Sequence, residues 1–157
     1  MTSIQILIFI LVALILVLLG LVLLNKSLIN KRQKAVLIKL RQLGPIEKEG
    51  KDYYLVLGTQ QIQLIFLSLK HNEHLTVNSN TKMQIDRYKN DKPIILRYNY
   101  QFPPFKWLLV IPGINRVKRA VNENEVVFID YTYEFDNFRI IKETEVDLLI
   151  TEIQNNK

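Results

Sequence analysis

An uninterrupted apolar run near the N-terminus constrains this chain more than any other feature of its sequence. Residues 6–24 contain no charged or strongly polar side chain, and Gly20 is the one interruption in a series of bulky apolar residues and an alanine. About 20 such residues, each adding about 1.5 Å to a helix, span the roughly 30 Å hydrocarbon core of a bilayer. A helix that is apolar on every face would need more surrounding protein than the rest of the chain supplies. The run therefore predicts a transmembrane helix.

A cleaved secretory signal is the alternative for the same segment. It fits poorly, because residues 1–5 lack Lys and Arg and the apolar run is longer than the roughly 7 to 15 residues typical of signals. Asn25-Lys26-Ser27 also offers no small-x-small cleavage site. We therefore expect residues 1–25 to form an uncleaved anchor.

Basic residues follow the apolar run directly and meet no acid before Glu47, so the net charge of +6 lies in this segment. Because positively charged flanks stay inside, we expect a single-pass protein of the cell membrane with a cytoplasmic C-terminal domain. At about 1 kcal/mol per basic residue, the segment also predicts contact with membrane lipid, unless its charges serve only to fix the topology. The predicted lipid-contact residues are Lys26, Lys31, Arg32 and Lys34.

The soluble part reads as one α/β domain with a mixed sheet over residues 45–157. A basic juxtamembrane helix is expected over residues 26–44, ending at Gly44-Pro45. Short runs rich in β-branched and aromatic residues predict strands at 52–57, 61–69, 75–78, 93–100, 107–111 and 126–133, the first two forming a hairpin. A short helix is expected at 115–122, and a C-terminal helix after a capping box formed by Thr144 and Asp147.

No metal site or cofactor is predicted from residue types alone. The chain has no cysteine, which excludes disulfides, thiolate nucleophiles and cysteine-based zinc sites. Its two histidines, His71 and His74, could bind a metal together with Glu73. A hydrophilic turn between two strands accounts for the same residues, and this is the interpretation that we adopt.

The stretch from Gly58 to Ser68 resembles the core strand of the nuclease-related (NERD) domain family, whose members resemble restriction endonucleases. In that family a Gly-Thr-x-Gln-Ile-Asp type strand precedes a second strand carrying Glu-x-Lys. Residues 52–57 are similar to the strand that comes before it, and the resemblance covers residues 34–133. It implies a restriction-endonuclease-like α/β fold.

The catalytic positions of that family carry amides in this chain. The Asp position falls on Gln63, and the Glu and Lys positions fall on Asn78 and Asn80. A nuclease of this kind holds Mg²⁺ with carboxylates and stabilises phosphate charge with a cation, and neutral amides supply neither charge. The resemblance therefore implies a degenerate, non-catalytic domain.

Two further groups of side chains suggest partners. Arg116, Lys118 and Arg119 on the predicted short helix could contact the phosphates of a nucleic acid, although an ordinary helix surface explains them as well. An aromatic span around two prolines belongs to the core or forms a surface for another protein. The span consists of Tyr98, Tyr100, Phe102, Phe105 and Trp107.

The leading hypothesis is therefore a membrane-tethered, non-catalytic binding or scaffold protein. One alternative is a metal-dependent nuclease or hydrolase that uses relocated acids such as Asp130 or Glu134. The other is a membrane protein-assembly factor that binds its partner through the aromatic span.

Overall fold

A computed structural model describes residues 3–79, 82–87, 92–97, 105–113, 116–121 and 125–156 of the chain. The chain divides into two compact units, Met1–Arg32 and Gln33–Lys157. Helix α1 (Ser3–Leu40) begins in the first unit and contributes its last residues to the second.

Helix α1 carries the predicted apolar segment. Its large apolar side chains between Ile4 and Leu24 are 48–71% exposed on every side of the helix. It is long enough and apolar enough to cross a membrane. The amphipathic segment that we expected over residues 26–44 continues from it without a break and ends at Leu40.

The end of α1 is fixed by a close approach to the sheet. Beyond Leu40 the chain makes a turn, in which the N–H of Leu43 donates to the Leu40 carbonyl at 3.0 Å. Gly44 then lies so close to the carbonyl oxygen of Val56 that a Cβ atom at this position would collide with it. The predicted stop at Gly44-Pro45 therefore depends on the missing side chain as well as on proline.

A six-stranded central sheet forms the middle of the domain. Its strand order is β1-β2-β3-β7-β11-β10, with β7 parallel to both β3 and β11 and the other pairs antiparallel. The predicted hairpin is confirmed, because β2 and β3 are antiparallel and Gly58 between them has a φ of 58°. The strands are β1 (Ile46–Glu49), β2 (Asp52–Leu57), β3 (Gln60–Ser68), β7 (Phe105–Ile111), β10 (Glu134–Phe135) and β11 (Phe138–Lys142).

A five-stranded outer sheet has the order β6-β5-β4-β8-β9. Among its described strands, β4 and β8 are parallel and the other neighbours are antiparallel. Its strands are β4 (Glu73–Ser79), β5 (Lys82–Arg87), β6 (Ile94–Arg97), β8 (Val117–Ala120) and β9 (Val126–Phe128).

The domain has three layers with two apolar cores. Leu108 and Val110 of β7 face the outer sheet, where they meet Leu75 and Val117. The alternate residues of β7 face the helices, because side chains in a strand point to opposite faces in turn. That second core consists of Trp107 and Leu109 with Val36, Leu40, Leu149, Ile150 and others.

Two expectations about the architecture were wrong, although the α/β class with a mixed sheet is confirmed. The strands form two sheets, not one. The predicted helix over residues 115–122 is strand β8, while Asn115 lies outside the described residues. Val117 is 2% exposed between the sheets, and burial of this one side chain against the core outweighs the weak helix propensity of Val117-Lys118-Arg119-Ala120.

The C-terminal helix α2 (Val146–Asn155) has the predicted apolar stripe, since Val146, Leu149 and Ile150 are buried. The predicted capping box was wrong. A 3-10 turn (Glu143–Glu145) precedes α2, and the Glu145 carboxylate accepts a hydrogen bond of 3.1 Å from the N–H of Lys142. Thr144 instead donates to the carbonyl of Gly113.

Strand β7 is buried on both faces, so shortening one of its side chains should lower the stability of the domain. Leu108→Ala should lower the free energy of unfolding by about 2–5 kcal/mol, because it leaves a cavity in a fully buried site. Leu148→Ala is the matched control, since Leu148 is 55% exposed on α2 and its loss should cost about 0.5 kcal/mol or less. Urea unfolding of the detergent-solubilised chain, followed by tryptophan fluorescence, measures both. Equal losses in the two variants would contradict the layer assignment.

Candidate functional site

The amide positions of the expected degenerate site lie in different sheets. Gln63 is in β3 of the central sheet, between Tyr54 and Lys106 on the neighbouring strands. Partial burial lowers the pKa of Lys106. Asn78 is in β4 of the outer sheet, and Asn80 lies outside the described residues. The structure therefore does not bring Gln63 and Asn78 together.

Asn78 instead belongs to a polar network on the outer sheet. Its amide donates to Gln84 Oε1 at 2.7 Å, and Gln84 Nε2 donates to Asp86 Oδ1 at 2.7 Å. The hydroxyl of Thr76 donates to the other oxygen of Asp86, and Lys118 Nζ lies 3.7 Å from that oxygen. These side chains supply one another with partners, which explains how Thr76 is only 4% exposed without an orphaned hydroxyl.

The structure does not place the three proposed phosphate-contact residues on one face. Lys118 and Arg119 are neighbours in β8, so their side chains leave opposite faces of the strand. Lys118 pairs with Asp86, whereas the Arg119 guanidinium lies 5.5 Å from the Tyr133 ring centre and donates to its hydroxyl. Arg116 is exposed before the strand. The three cations thus do not form one surface.

The relocated acids have structural hydrogen bonds. Asp130 Oδ1 accepts from the Thr132 hydroxyl at 2.6 Å and from the Thr132 N–H at 3.0 Å. These bonds hold the pKa of Asp130 below its usual range. Glu134 Oε2 accepts from Arg139 Nη2 at 2.6 Å. Both carboxylates therefore stabilise local structure at the end of the domain where the chain enters β10.

The proposed metal ligands in the histidine segment also do not come together. Glu73 is buried at the start of β4, where its carboxylate accepts from the Lys70 N–H at 2.8 Å and from Arg87 Nε at 3.1 Å. His74 leaves the opposite face of the strand and lies across from Asp86. Within the described ranges, no group of three His, Asp or Glu residues could hold a metal ion.

The four predicted lipid-contact residues are all exposed on α1. At about 100° of helical rotation per residue, Lys26, Lys31, Arg32 and Lys34 point in four different directions around the helix. The four charges are therefore distributed around the helix and do not share one face.

A cavity that the sequence did not reveal lies between the central sheet and the last turn of α2. It measures about 370 Å³, and it brings together apolar walls, amides and ionic side chains. Its lining consists of Leu57, Gln60, Ile62, Phe105, Trp107, Glu134, Arg139, Glu152, Ile153 and Asn156. We refer to it as the sheet–helix cavity.

Two buried hydrogen-bond donors belong to residues that line this cavity. Trp107 Nε1 and Arg139 Nε have no partner among the described residues. The two residues are direct neighbours on the parallel strands β7 and β11 and share the helix-facing side of the sheet. Trp107 is 2% exposed. Buried donors ordinarily have a hydrogen-bond partner. Two neighbouring donors that lack one among the described residues therefore distinguish this cavity.

A wider depression of about 610 Å³ lies at the same end of the central sheet. Its lining is mainly polar and includes Glu49, Tyr54 and Gln61. No buried side-chain donor or acceptor that lacks a partner within the described ranges belongs to its lining. The sheet–helix cavity is therefore the stronger candidate site.

The sequence carried only a faint signal for this site. Trp107 belongs to the aromatic span that was expected in the core or on a partner surface, and it is buried as a core residue would be. Tyr98, Tyr100 and Phe102 of the same span lie outside the described residues. Arg139 stands between Phe138 and Ile140 in a run that is otherwise apolar, and a charged residue in such a run is the feature that could have marked β11.

Comparison with known proteins yields no relative: no family model matches the chain, and neither the curated proteins nor the solved structures contain a match.

The hydrogen bonds of Asp130 predict a pKa change in a variant. Thr132→Ala removes the hydroxyl donor, so the pKa of Asp130 should rise towards its ordinary value while the backbone donor keeps it somewhat low. A carboxyl whose pKa is lower in the folded than in the unfolded state stabilises the fold at pH values above its unfolded-state pKa. This stabilisation is lost as the pH falls through the folded-state pKa. Thr132→Ala should therefore lose a small increment of stability at neutral pH.

Titration of the carboxyl carbon by nuclear magnetic resonance measures this pKa directly. Thr151→Ala is the control, because that hydroxyl donates to the Asp147 carbonyl and does not contact Asp130. An Asp130 pKa that is the same in Thr132→Ala and in the unmodified protein would refute the assigned cause.

Proposed function

We propose that this protein is a membrane-tethered, non-catalytic scaffold whose domain associates with a second copy of itself through strand β9. The observation that carries the proposal is the apolar, open edge of the outer sheet. In this proposal helix α1 is the tether, which its length and apolar composition support, and the positive residues after its apolar segment support a cytoplasmic location for the domain. The resemblance to nuclease-related domains adds the proposal of a degenerate nuclease-like ancestry.

Strand β9 is the last strand of the outer sheet on one side. The N–H of Ile129 donates to Val117, and the N–H of Val121 donates to Glu125, so residues 125 and 129 face β8. Because the hydrogen bonds of an antiparallel pair alternate, the backbone groups of Val126 and Phe128 point away from β8. No strand pairs with that side of β9 in the described part of the chain.

The side chains of this edge are apolar. Val126, Val127 and Phe128 are 50%, 42% and 66% exposed. An exposed apolar edge is the usual template for pairing with another strand, and proteins that avoid such pairing place lysine, proline or a bulge there. None of these three protections occurs at the three residues of β9.

The edge is complementary to itself. A twofold axis through Val127 places Val126 of one copy opposite Phe128 of the other, and this arrangement aligns both pairs of outward backbone groups. Each such pair exchanges two hydrogen bonds, so the contact contains about four. The three paired residues carry no charge and do not repel one another. An anchor in a shared membrane raises the effective concentration of the second copy.

The absence of cysteine makes the proposed register directly testable. In the dimer the two Val127 residues form a non-hydrogen-bonded pair with Cα atoms about 4.5 Å apart, a separation that a disulfide spans. Val127→Cys in the full chain in lipid vesicles should therefore form a disulfide-linked dimer on mild oxidation.

Two valines provide matched controls. Val126→Cys tests the register, because its counterpart in the second copy lies two residues away along the strand. Val121→Cys tests exposure alone, since it is 55% exposed and lies beyond the end of β8. We expect the dimer to form at least about tenfold faster at position 127 than at either control. Equal rates at the three positions would indicate random collision and reject the proposed contact.

The membrane tether is tested by extraction. The full chain should remain with the membrane pellet after alkaline carbonate treatment, because about 20 apolar residues are stable only in the bilayer. Replacing Leu11, Leu14 and Leu18 together by lysine should release it into the supernatant. Replacing Leu148 by lysine, an exposed leucine of α2, is the control and should leave the protein in the pellet. Recovery of the unmodified chain from the supernatant would refute the proposed membrane tether.

A further inference from the structure

The sheet–helix cavity combines features that do not depend on self-association. Trp107 Nε1 and Arg139 Nε are buried donors without an acceptor among the described residues, and both residues line the cavity. A buried donor without a partner costs about 1–3 kcal/mol. Both donor atoms have less than 1 Å² of accessible surface, so a ligand acceptor reaches them after a small shift of the two neighbouring side chains and then recovers that energy.

The charges of the lining determine which acceptor fits. Arg139 is already paired with Glu134 through its Nη2 at 2.6 Å, so its positive charge is neutralised. Glu152 adds a second carboxylate to the same lining. An anionic ligand would meet a net negative charge, whereas a neutral carbonyl oxygen accepts the same two hydrogen bonds without repulsion.

The remaining walls favour an apolar body. Leu57, Ile62 and Ile153 line the cavity on the side of the core, and Phe105 contributes a ring. The amides of Gln60 and Asn156 add further neutral polar groups. A cavity of about 370 Å³ is within the range of small-molecule sites, which are mostly apolar with a few directed polar groups.

We propose that the sheet–helix cavity binds a small, uncharged molecule that carries a carbonyl oxygen on an apolar body, with Trp107 and Arg139 as its donors.

The chain offers its own reporter of this binding. Trp107 is its one tryptophan, so a protein labelled with ¹⁵N-tryptophan gives a single indole N–H signal. That signal comes from the donor atom in question. The experiment uses the full chain in lipid nanodiscs and three probes that share a six-membered ring: cyclohexanecarboxamide, cyclohexanecarboxylate and methylcyclohexane. Free probe is measured in the aqueous phase, which removes the effect of partition into lipid.

The three probes separate the possible results. The carboxamide should shift the indole proton downfield in a saturable way, because the N–H gains an acceptor. The carboxylate should bind at least about tenfold more weakly, since it meets Glu134 and Glu152. Methylcyclohexane has no acceptor and should leave the indole proton without a downfield shift. Equal binding of carboxamide and carboxylate, or no saturable shift with the carboxamide, would overturn the proposal.

Two variants locate the site. Ile153→Phe fills the cavity from α2 and should abolish the carboxamide shift, while Leu148→Phe on the exposed side of the same helix should retain it. Arg139→Lys keeps a positive charge beside Glu134 but lacks the Nε donor, and should weaken carboxamide binding about tenfold through loss of one hydrogen bond. Unchanged binding in Arg139→Lys, or in a folded Ile153→Phe protein, would place the ligand elsewhere and refute the assignment.

Discussion

The burial of β7 on both faces is the constraint on which the rest of the domain depends. This strand has five consecutive fully buried residues, from Trp107 to Ile111, and parallel neighbours on both sides. A strand of this kind can exist only if each face of the sheet is covered. The outer sheet covers one face, and the end of α1 together with α2 covers the other. The three layers follow from that requirement.

Polar side chains in this fold differ in whether their hydrogen-bonding groups have partners. On the outer sheet, Thr76, Gln84 and Asp86 are partners for one another, and Nδ1 of His74 on the same face is the one buried side-chain atom there that lacks a partner among the described residues. Beside α2, Trp107 and Arg139 each retain a buried N–H group without an acceptor in the part of the chain that the structure describes. The difference identifies the sheet–helix cavity as a place where binding would gain energy that folding has not already gained.

The sequence predicted the elements that have their own periodicity or turn residues. It missed the features that depend on which strands pair across long stretches of the chain. The apolar run of α1, the β2–β3 hairpin and the stripe of α2 each contain their own periodicity or turn residues, and all three are present. Strand β8 was predicted as a helix, since only Val117 of its four residues is buried and four residues are too few to show a period. The division into two sheets depends on which strands pair, and no local pattern records that.

The candidate site shows the same limit. Amides at positions 63 and 78 suggested one lost active site, but β3 and β4 belong to different sheets. Trp107 and Arg139 are 32 positions apart along the chain and meet only because β7 and β11 pair in parallel. A site built across strands in this way leaves no motif in either segment.

The parallel strands at the centre of the sheet also set the order in which the domain can form. Strands β3, β7 and β11 consist of residues 60–68, 105–111 and 138–142, so β7 gains its second neighbour only once residues 138–142 have been synthesised. Such non-local pairing is slow to form. Helix α1, in contrast, needs only local contacts and precedes all of these strands in the chain. The apolar faces of the unfinished sheet are thus still uncovered when α1 can already be helical, and a nascent chain in that state is a natural client for chaperones.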